Sequence, residues 1–157
     1  MDEAKALKQA QSVYETICKT LDNRQWKYQR HDEDLVISCG ARGEDLPMDI
    51  LLIVNPKAQV VSLISPMPFK IGEDQRVDGA LAVCVANHGL INGSFDYNLA
   101  DGQIRFRLVS SYRESILSEE LFNYMIMVSA GTIDQYNDRF LMIAKGAMTI
   151  QQFIEAE

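Results

Sequence analysis

The stretch NHGLINGSFDYNLADGQIRFR, residues 87–107, decides how the fold is to be interpreted. It holds one of the two histidines of the chain among glycines, asparagines and aspartates, so it could be a catalytic loop or a helix end followed by a hairpin. Residues 93–98 and 103–109 alternate apolar and polar side chains, as half-buried strands do. The LADG segment between them ends in a glycine, which suits the positive φ of a tight turn.

The length of this turn sets which residues face each other across the hairpin. Apolar side chains then meet apolar ones and an acid meets a base, so the pattern and the register agree. We therefore predict a hairpin in which Asp96 and Arg105 are neighbours on the solvent side. The predicted pairs are Asn98 with Gln103, Tyr97 with Ile104, Asp96 with Arg105 and Phe95 with Phe106.

His88 and Gly89 have a structural explanation as the end of the preceding helix. Glycine is common at a helix C-terminus, and a histidine in the last turn interacts well with the negative end of the helix dipole. Histidine also titrates near neutrality and could be a general base. Because no serine or cysteine nucleophile motif lies nearby in the sequence, we favour the structural explanation.

The patterns of the rest of the chain predict further helices and strands on both sides of this hairpin. Asp2 and Asn23 are expected to cap the first helix, residues 40–47 form a polar loop, and Pro66 and Pro68 end the fourth strand because neither can donate a backbone hydrogen bond. The predicted elements are a helix over 4–22, strands over 26–30, 35–39, 48–54 and 59–65, a helix over 73–87, the hairpin, a helix over 118–137, a shorter stretch to 147 and a last turn over 149–155.

Hairpins without intervening helices imply an antiparallel sheet, so the class is α+β. We predict about five to six strands with helices packed on one face. The length suits one domain, residues 1–157.

Composition and charge limit the classes of function. The net charge is −7 and the basic residues are scattered, which disfavours nucleic-acid binding. The N-terminus has no signal-peptide pattern and the apolar runs are too short to span a bilayer, so we expect a soluble, cytoplasmic protein without membrane contact. The three cysteines, Cys18, Cys39 and Cys84, show no zinc spacing and are expected to be reduced, with both helical ones in the core.

Two polar segments are candidates for ligand sites. The acidic HDED segment, residues 31–34, lacks the spacing and the glycine of a calcium loop. The GARGED segment, residues 40–45, lacks the lysine and the strand-to-helix context of a phosphate loop. We therefore assign no catalytic, cofactor or metal residues and expect no cofactor.

The helix over 118–137 carries more apolar surface than one sheet face requires. Two interpretations stay open: the helix is deeply buried, or part of its surface meets a partner, possibly a second copy of the chain. Met127 lies within its remaining polar stripe and would be central to such an interface. The partner-binding residues would then be Leu121, Tyr124, Met125, Met127 and Val128.

Four short features over residues 65–112 resemble the YbjN-like family of bacterial sensory transduction regulators. They are Pro68-Phe69-Lys70 at a strand end, the charged helix start with Glu73, Asp74 and Arg76, Asn92 before Gly93-Ser94-Phe95, and the Asp101-Gly102 turn. The family's asparagine more often lies further upstream, as Asn87 does. The similarity extends weakly over nearly the whole chain, including LSEELF at the start of the long C-terminal helix.

The resemblance implies the fold of type III secretion chaperones, which are often homodimers, and no known enzyme activity. We therefore expect a non-enzymatic protein-binding module with a regulatory or chaperone-like role that forms a homodimer, its other protein partner unknown. The alternative is a small-ligand-sensing domain or a cryptic enzyme with a pocket near His88. Fold alone does not decide between them.

Overall fold

The protein is described by a computed structural model that covers residues 3–157. Residue 2, the expected N-cap of the first helix, lies outside the described residues. The elements along the chain are α1 (Glu3–Asn23), β1 (Tyr28–His31), β2 (Val36–Arg42), β3 (Pro47–Asn55), β4 (Val60–Lys70), a 3-10 turn (Glu73–Gln75), α2 (Arg76–His88), β5 (Ser94–Tyr97), β6 (Gln103–Ser111), α3 (Glu119–Ala144) and α4 (Ile150–Glu155).

Within residues 3–157, the strands form one antiparallel sheet of six strands in the order β1-β2-β3-β4-β6-β5. Alternate strand residues point to one face and join the hydrophobic core with the inner sides of the helices. The predicted α+β class is therefore confirmed, with helices on one face of the sheet. The core strand residues are Ile37, Cys39, Met48, Ile50, Leu52, Val54, Val61, Leu63, Met67, Phe95, Ile104, Phe106 and Leu108.

The hairpin of β5 and β6 confirms the predicted register. Asp96 pairs with Arg105, Phe95 with Phe106 and Tyr97 with Ile104. Gly102 ends the turn with φ of 74°. A Cβ on Gly102 would also lie 2.0 Å from the Ile71 carbonyl oxygen, so both the conformation and the space require glycine.

The fourth strand is longer than its prolines suggested. β4 runs to Lys70 and keeps both Pro66 and Pro68, so the prediction that they end the strand was wrong. The last pair between β3 and β4 joins Leu51 and Ile64, so a proline beyond this point removes no β3–β4 hydrogen bond. On the β6 side the register shifts between Pro66 and Lys70.

Two further boundaries differ from the predictions. The loop expected over 40–47 shrinks to residues 43–46, because β2 continues to Arg42 and β3 begins at Pro47. The break expected near Asn137 does not occur; α3 continues through it to Ala144, and Asn137 is buried in the core. A helix packed on several sides continues through residues of modest propensity, because tertiary contacts outweigh that preference.

The ends of the helices show which capping predictions hold. Ser118 caps α3 as expected, since its hydroxyl accepts a hydrogen bond from the Leu121 N–H. Gly89 ends α2, but its φ of −92° is open to any residue. Asn23 is the last residue of α1, and the positive φ beyond the helix falls on Gln25 instead.

The three cysteines of the described chain are free. Cys18 is buried as expected. Cys39 on β2 is buried too, and burial raises the pKa of its thiol to about 11. Cys84 is exposed, so its predicted place in the core was wrong. It lies on the outer side of α2, one turn beyond Leu81 and two turns beyond Val77, which are exposed too.

Candidate interaction surface

The partner-binding residues predicted on α3 differ in how far the structure exposes them. Met125 is only 1% exposed and belongs to the core, so its assignment to an accessible surface was wrong. Leu121 and Val128 are half-buried and pack against the core. Tyr124 and Met127 remain about half exposed, at 47% and 50%.

Most of the apolar surface of α3 packs against other elements of the same chain. This helix packs against α1, α2 and the sheet strands β4 and β6, so its apolar circumference is covered from several sides. The two exposed side chains also have polar neighbours: Arg24 donates to the Met127 sulfur at 3.3 Å, and the Tyr124 hydroxyl is hydrogen-bonded to Asn92. For most of the helix, deep burial is therefore the correct interpretation.

A larger uncovered apolar surface lies on the opposite side of the sheet. There, β2, β3, β4 and β6 present alternate residues that lie outside the core and outside the side chains packed against it. They are half-buried by their own strand neighbours, and Val109 is 43% exposed. We call this surface the free sheet face; its apolar residues are Val36, Leu51, Ile53, Val60, Ile64, Pro66 and Val109.

Strand register makes these residues contiguous. An apolar band runs obliquely across three strands, from Val36 on β2 through Ile53 and Leu51 on β3 to Ile64 and Pro66 on β4. The band crosses three rows of the sheet. Val36, Ile53, Ser62 and Val109 form the first, Ser38, Leu51, Ile64 and Arg107 the second, and Pro66 lies with Arg105 in the third.

Charged residues flank the apolar band on its two sides. On the β6 side, Asp96 accepts hydrogen bonds from Arg105 at 3.1 Å and from Arg107 at 2.8 and 3.0 Å. The bonds from Arg107, with those from Arg105, hold the pKa of Asp96 below its usual range. Two cations thus share one carboxylate, which leaves a net positive charge on this side.

On the other side, Asp49 of β3 is exposed, and its carboxylate makes no hydrogen bond or ion pair with any of residues 3–157. It lines a groove of about 670 Å³ that opens where β3 and β4 lose their pairing. Leu51 and Pro66 line the same groove and join it to the apolar band. The free sheet face therefore has an apolar centre with Arg105 and Arg107 on the β6 side. On its other side Asp49 is accompanied by two cations, Lys27 of the same groove and Arg42 of β2.

Sequence reasoning missed this surface, although a signal was present. An antiparallel strand with one solvated face should alternate, as β6 does. The segments DILLIV, residues 49–54, and VVSLIS, residues 60–65, are instead almost continuously apolar. A continuous apolar run indicates a strand that buries both faces.

The residues considered for chemistry are not brought together. His88 is exposed at the last residue of α2 and lies outside the lining of the five grooves described on residues 3–157. Asp32 of the acidic turn accepts hydrogen bonds from Tyr14 and Arg30. No cluster of three potential metal-binding side chains occurs among the described residues. The hypothesis of a ligand pocket near His88 gains no support from this geometry.

None of the helices within residues 3–157 combines the length and the apolar character needed to cross a membrane.

The fold and the long match to one family define the class of protein. The model of the YbjN family, described as "Putative bacterial sensory transduction regulator", matches residues 14–142. The chain therefore belongs to the YbjN family, which confirms the resemblance found in the sequence. No curated protein matches the chain.

Among solved structures, the chain is similar to YbjN of E. coli, described as "a putative transcription regulator". The TM-score is 0.56 at 12% sequence identity, and the match covers 80% of this chain and 92% of the E. coli chain. At this identity the likeness shows the shared fold.

Proposed function

We propose that the protein is a non-enzymatic regulatory domain with a chaperone-like mode of action, which binds another protein chain on the free sheet face. The observation that carries the proposal is the apolar band of this face, which no helix of residues 3–157 covers. Membership of a family of bacterial regulators supports the regulatory role. The resemblance to secretion chaperones supports the binding of a protein chain.

The extent of the apolar band argues for a binding surface. Single exposed apolar residues are normal on soluble proteins, whereas contiguous apolar patches rimmed by polar residues mark interaction sites. Five neighbouring residues, Val36, Ile53, Leu51, Ile64 and Pro66, form the band. Each aliphatic side chain here still has part of its roughly 1.5–3 kcal/mol of burial free energy to gain from a partner.

The proposal predicts that a charge in the apolar band abolishes partner binding and leaves the domain folded. Ile64→Asp places a carboxylate at the centre of the band, where a docked partner would desolvate it. Val77→Asp is the matched control, because Val77 is an exposed aliphatic residue of α2, remote from the sheet face. Val109→Asp, at a more exposed position of the same face, replaces Ile64→Asp if that variant does not fold.

The measurement is affinity capture from native cytosol with the unmodified protein and the variants, each checked for folding by circular dichroism. We expect the proteins captured by the unmodified chain to be lost with Ile64→Asp and retained with Val77→Asp. Equal capture by all of them would contradict the proposal.

A further inference from the structure

We propose that the free sheet face binds an amphipathic helix of the partner chain, with carboxylates on both sides of the apolar stripe of that helix. The inference rests on the proposed function, because it specifies the partner of the surface described there. It follows from the charge of the face, from the dimensions of its apolar band and from the charge of the whole chain.

The charged side chains of the face are mostly basic, although the chain is acidic. Four cations flank the apolar band: Lys27, Arg42, Arg105 and Arg107. Two carboxylates lie among them, those of Asp49 and Asp96, so the charges of these six side chains sum to +2. The net charge of the chain is −7, so the rest of it sums to −9. The face therefore complements an acidic partner.

The cations on both sides of the band can bind a further carboxylate. Lys27 and Arg42 make no ion pair with any of residues 3–157, and the two arginines of β6 share one carboxylate. The side chain of Arg105 remains 48% exposed. Hydrogen bonds between a guanidinium group and a carboxylate are among the strongest in proteins, so these positions favour glutamate or aspartate in the partner.

The dimensions of the apolar band fit one helix. Arg42 on β2 and Arg105 on β6 are separated by three strand intervals, which is about 14 Å. A helix with its side chains is about 10–12 Å wide, so it fits between them. From Val36 to Pro66 the band crosses two strand intervals and two rows, roughly 17 Å or about three helical turns. An amphipathic helix laid on an apolar surface is a common mode of recognition.

The charge of the rest of the chain argues against extended anionic partners. A membrane of acidic lipids or a nucleic acid would lie close to much of the molecule, and the carboxylates outside the face would repel it. A single helix contacts the face alone. A second copy on this face is disfavoured too, because two identical faces would bring like charges together.

The test uses two synthetic peptides of about 18 residues, long enough for a helix to form in water. Both carry the same leucine stripe at helical spacing, and the positions beside the stripe are glutamate in one peptide and lysine in the other. Fluorescence anisotropy measures their binding to the protein. We expect the glutamate peptide to bind at least about tenfold more tightly than the lysine peptide, and Ile64→Asp to abolish the binding of both.

Charge reversal on the protein provides the decisive result. Arg42→Glu and Arg105→Glu, each alone, should weaken binding of the glutamate peptide. The double variant, whose six side chains sum to −2, should bind the lysine peptide more tightly than the glutamate peptide. Lys8→Glu is the matched control, since Lys8 is exposed on α1 in the helical layer, and it should leave the preference unchanged. Circular dichroism checks the folding of each variant.

Three outcomes overturn the inference: no difference between the two peptides, a preference that the double variant does not reverse, or a preference that Lys8→Glu changes equally. A different occupant would contradict it as well. Such an occupant would be shown by binding to vesicles of acidic lipid that Ile64→Asp abolishes, or by a dimer in sedimentation velocity that Ile64→Asp separates.

The proposed function is judged separately, by affinity capture. If the captured proteins are lost with Ile64→Asp and retained with the double charge reversal, the face binds a protein chain through its apolar band alone. The proposed function then stands and the acidic helix is excluded.

Discussion

At the scale of single residues, one carboxylate holds the two arginines on the β6 side of the free sheet face. Asp96 lies opposite Arg105 and diagonal to Arg107, and it bonds both guanidinium groups. The sequence predicted the contact with Arg105. The bidentate contact with Arg107 depends on the rotamers of long side chains, which strand register does not determine.

The lowered pKa of Asp96 makes the stability of the protein depend on pH. A depressed folded-state pKa stabilises the fold above the unfolded value of about 3.9, and this contribution is lost as the pH falls through the folded pKa. We expect Asp96→Asn to lower the free energy of unfolding at neutral pH by about 1 kcal/mol or less, because the ion pair is partly exposed.

Urea unfolding of both proteins at neutral pH and below pH ~4 measures this dependence. The difference between Asp96→Asn and the unmodified protein should shrink at the lower pH, and the exposed control Glu33→Gln should show no such change. A difference that stays constant with pH would show that the carboxylate charge of Asp96 does not stabilise the fold.

Ser129 presents a different case, because its hydroxyl is buried on α3 and has no hydrogen-bond partner among residues 3–157. Burying a polar group without a partner costs about 1–3 kcal/mol. We expect Ser129→Ala to raise the free energy of unfolding by about 1 kcal/mol more than Ser12→Ala. Ser12 is exposed on α1, so its variant measures only the gain in helix propensity.

Chemical denaturation of the two alanine variants provides the comparison. Loss of stability in Ser129→Ala would mean that the hydroxyl has a partner, such as a bound water.

At the scale of elements, the two edge strands of the sheet are equal in length and differ in how they are anchored. β5 buries Phe95, whose ring packs edge-on against Phe106, Tyr136 and Phe140 at centroid distances of 5.0–5.5 Å. β1 buries none of its residues fully: only Tyr28 is half-buried against the core, and the other three residues are exposed, with contacts such as that between Arg30 and Glu15. Exposed ion pairs contribute little to stability, whereas buried aromatic rings contribute much.

This difference predicts that amide hydrogens of β1 exchange faster than those of β5, while the centres of β3 and β4 exchange slowest. Local opening exposes the amides of a weakly anchored element first. Hydrogen exchange followed by mass spectrometry at neutral pH measures all four strands in one experiment. Equal protection of β1 and β5 would show that the aromatic anchor does not control the edge.

At the scale of the whole molecule, the helices and the sheet form two layers, and the second face of the sheet has no layer of its own within residues 3–157. A sheet that is apolar on both faces is stable in water when both faces are covered. The partner chain proposed for the free sheet face would cover this second face.

The sequence by itself determined the class of fold, the order of the elements and the register of the β5–β6 hairpin. These features depend on short-range causes: the alternation of side chains along a strand, the glycine of a four-residue turn and the capping serine of α3. Family membership could also be recognised from local motifs, because these persist where overall identity is low.

Only the tertiary structure decided which apolar residues remain uncovered. The apolar pattern of α3 looks alike at Met125 and Met127, but neighbouring elements bury the first and leave the second half exposed. The same pattern along β3 and β4 does not tell whether one layer or two cover the strands. Whether an apolar side chain is covered depends on packing between residues far apart in the chain. A local sequence pattern therefore shows which side chains favour burial, and only the assembled fold shows which of them are buried.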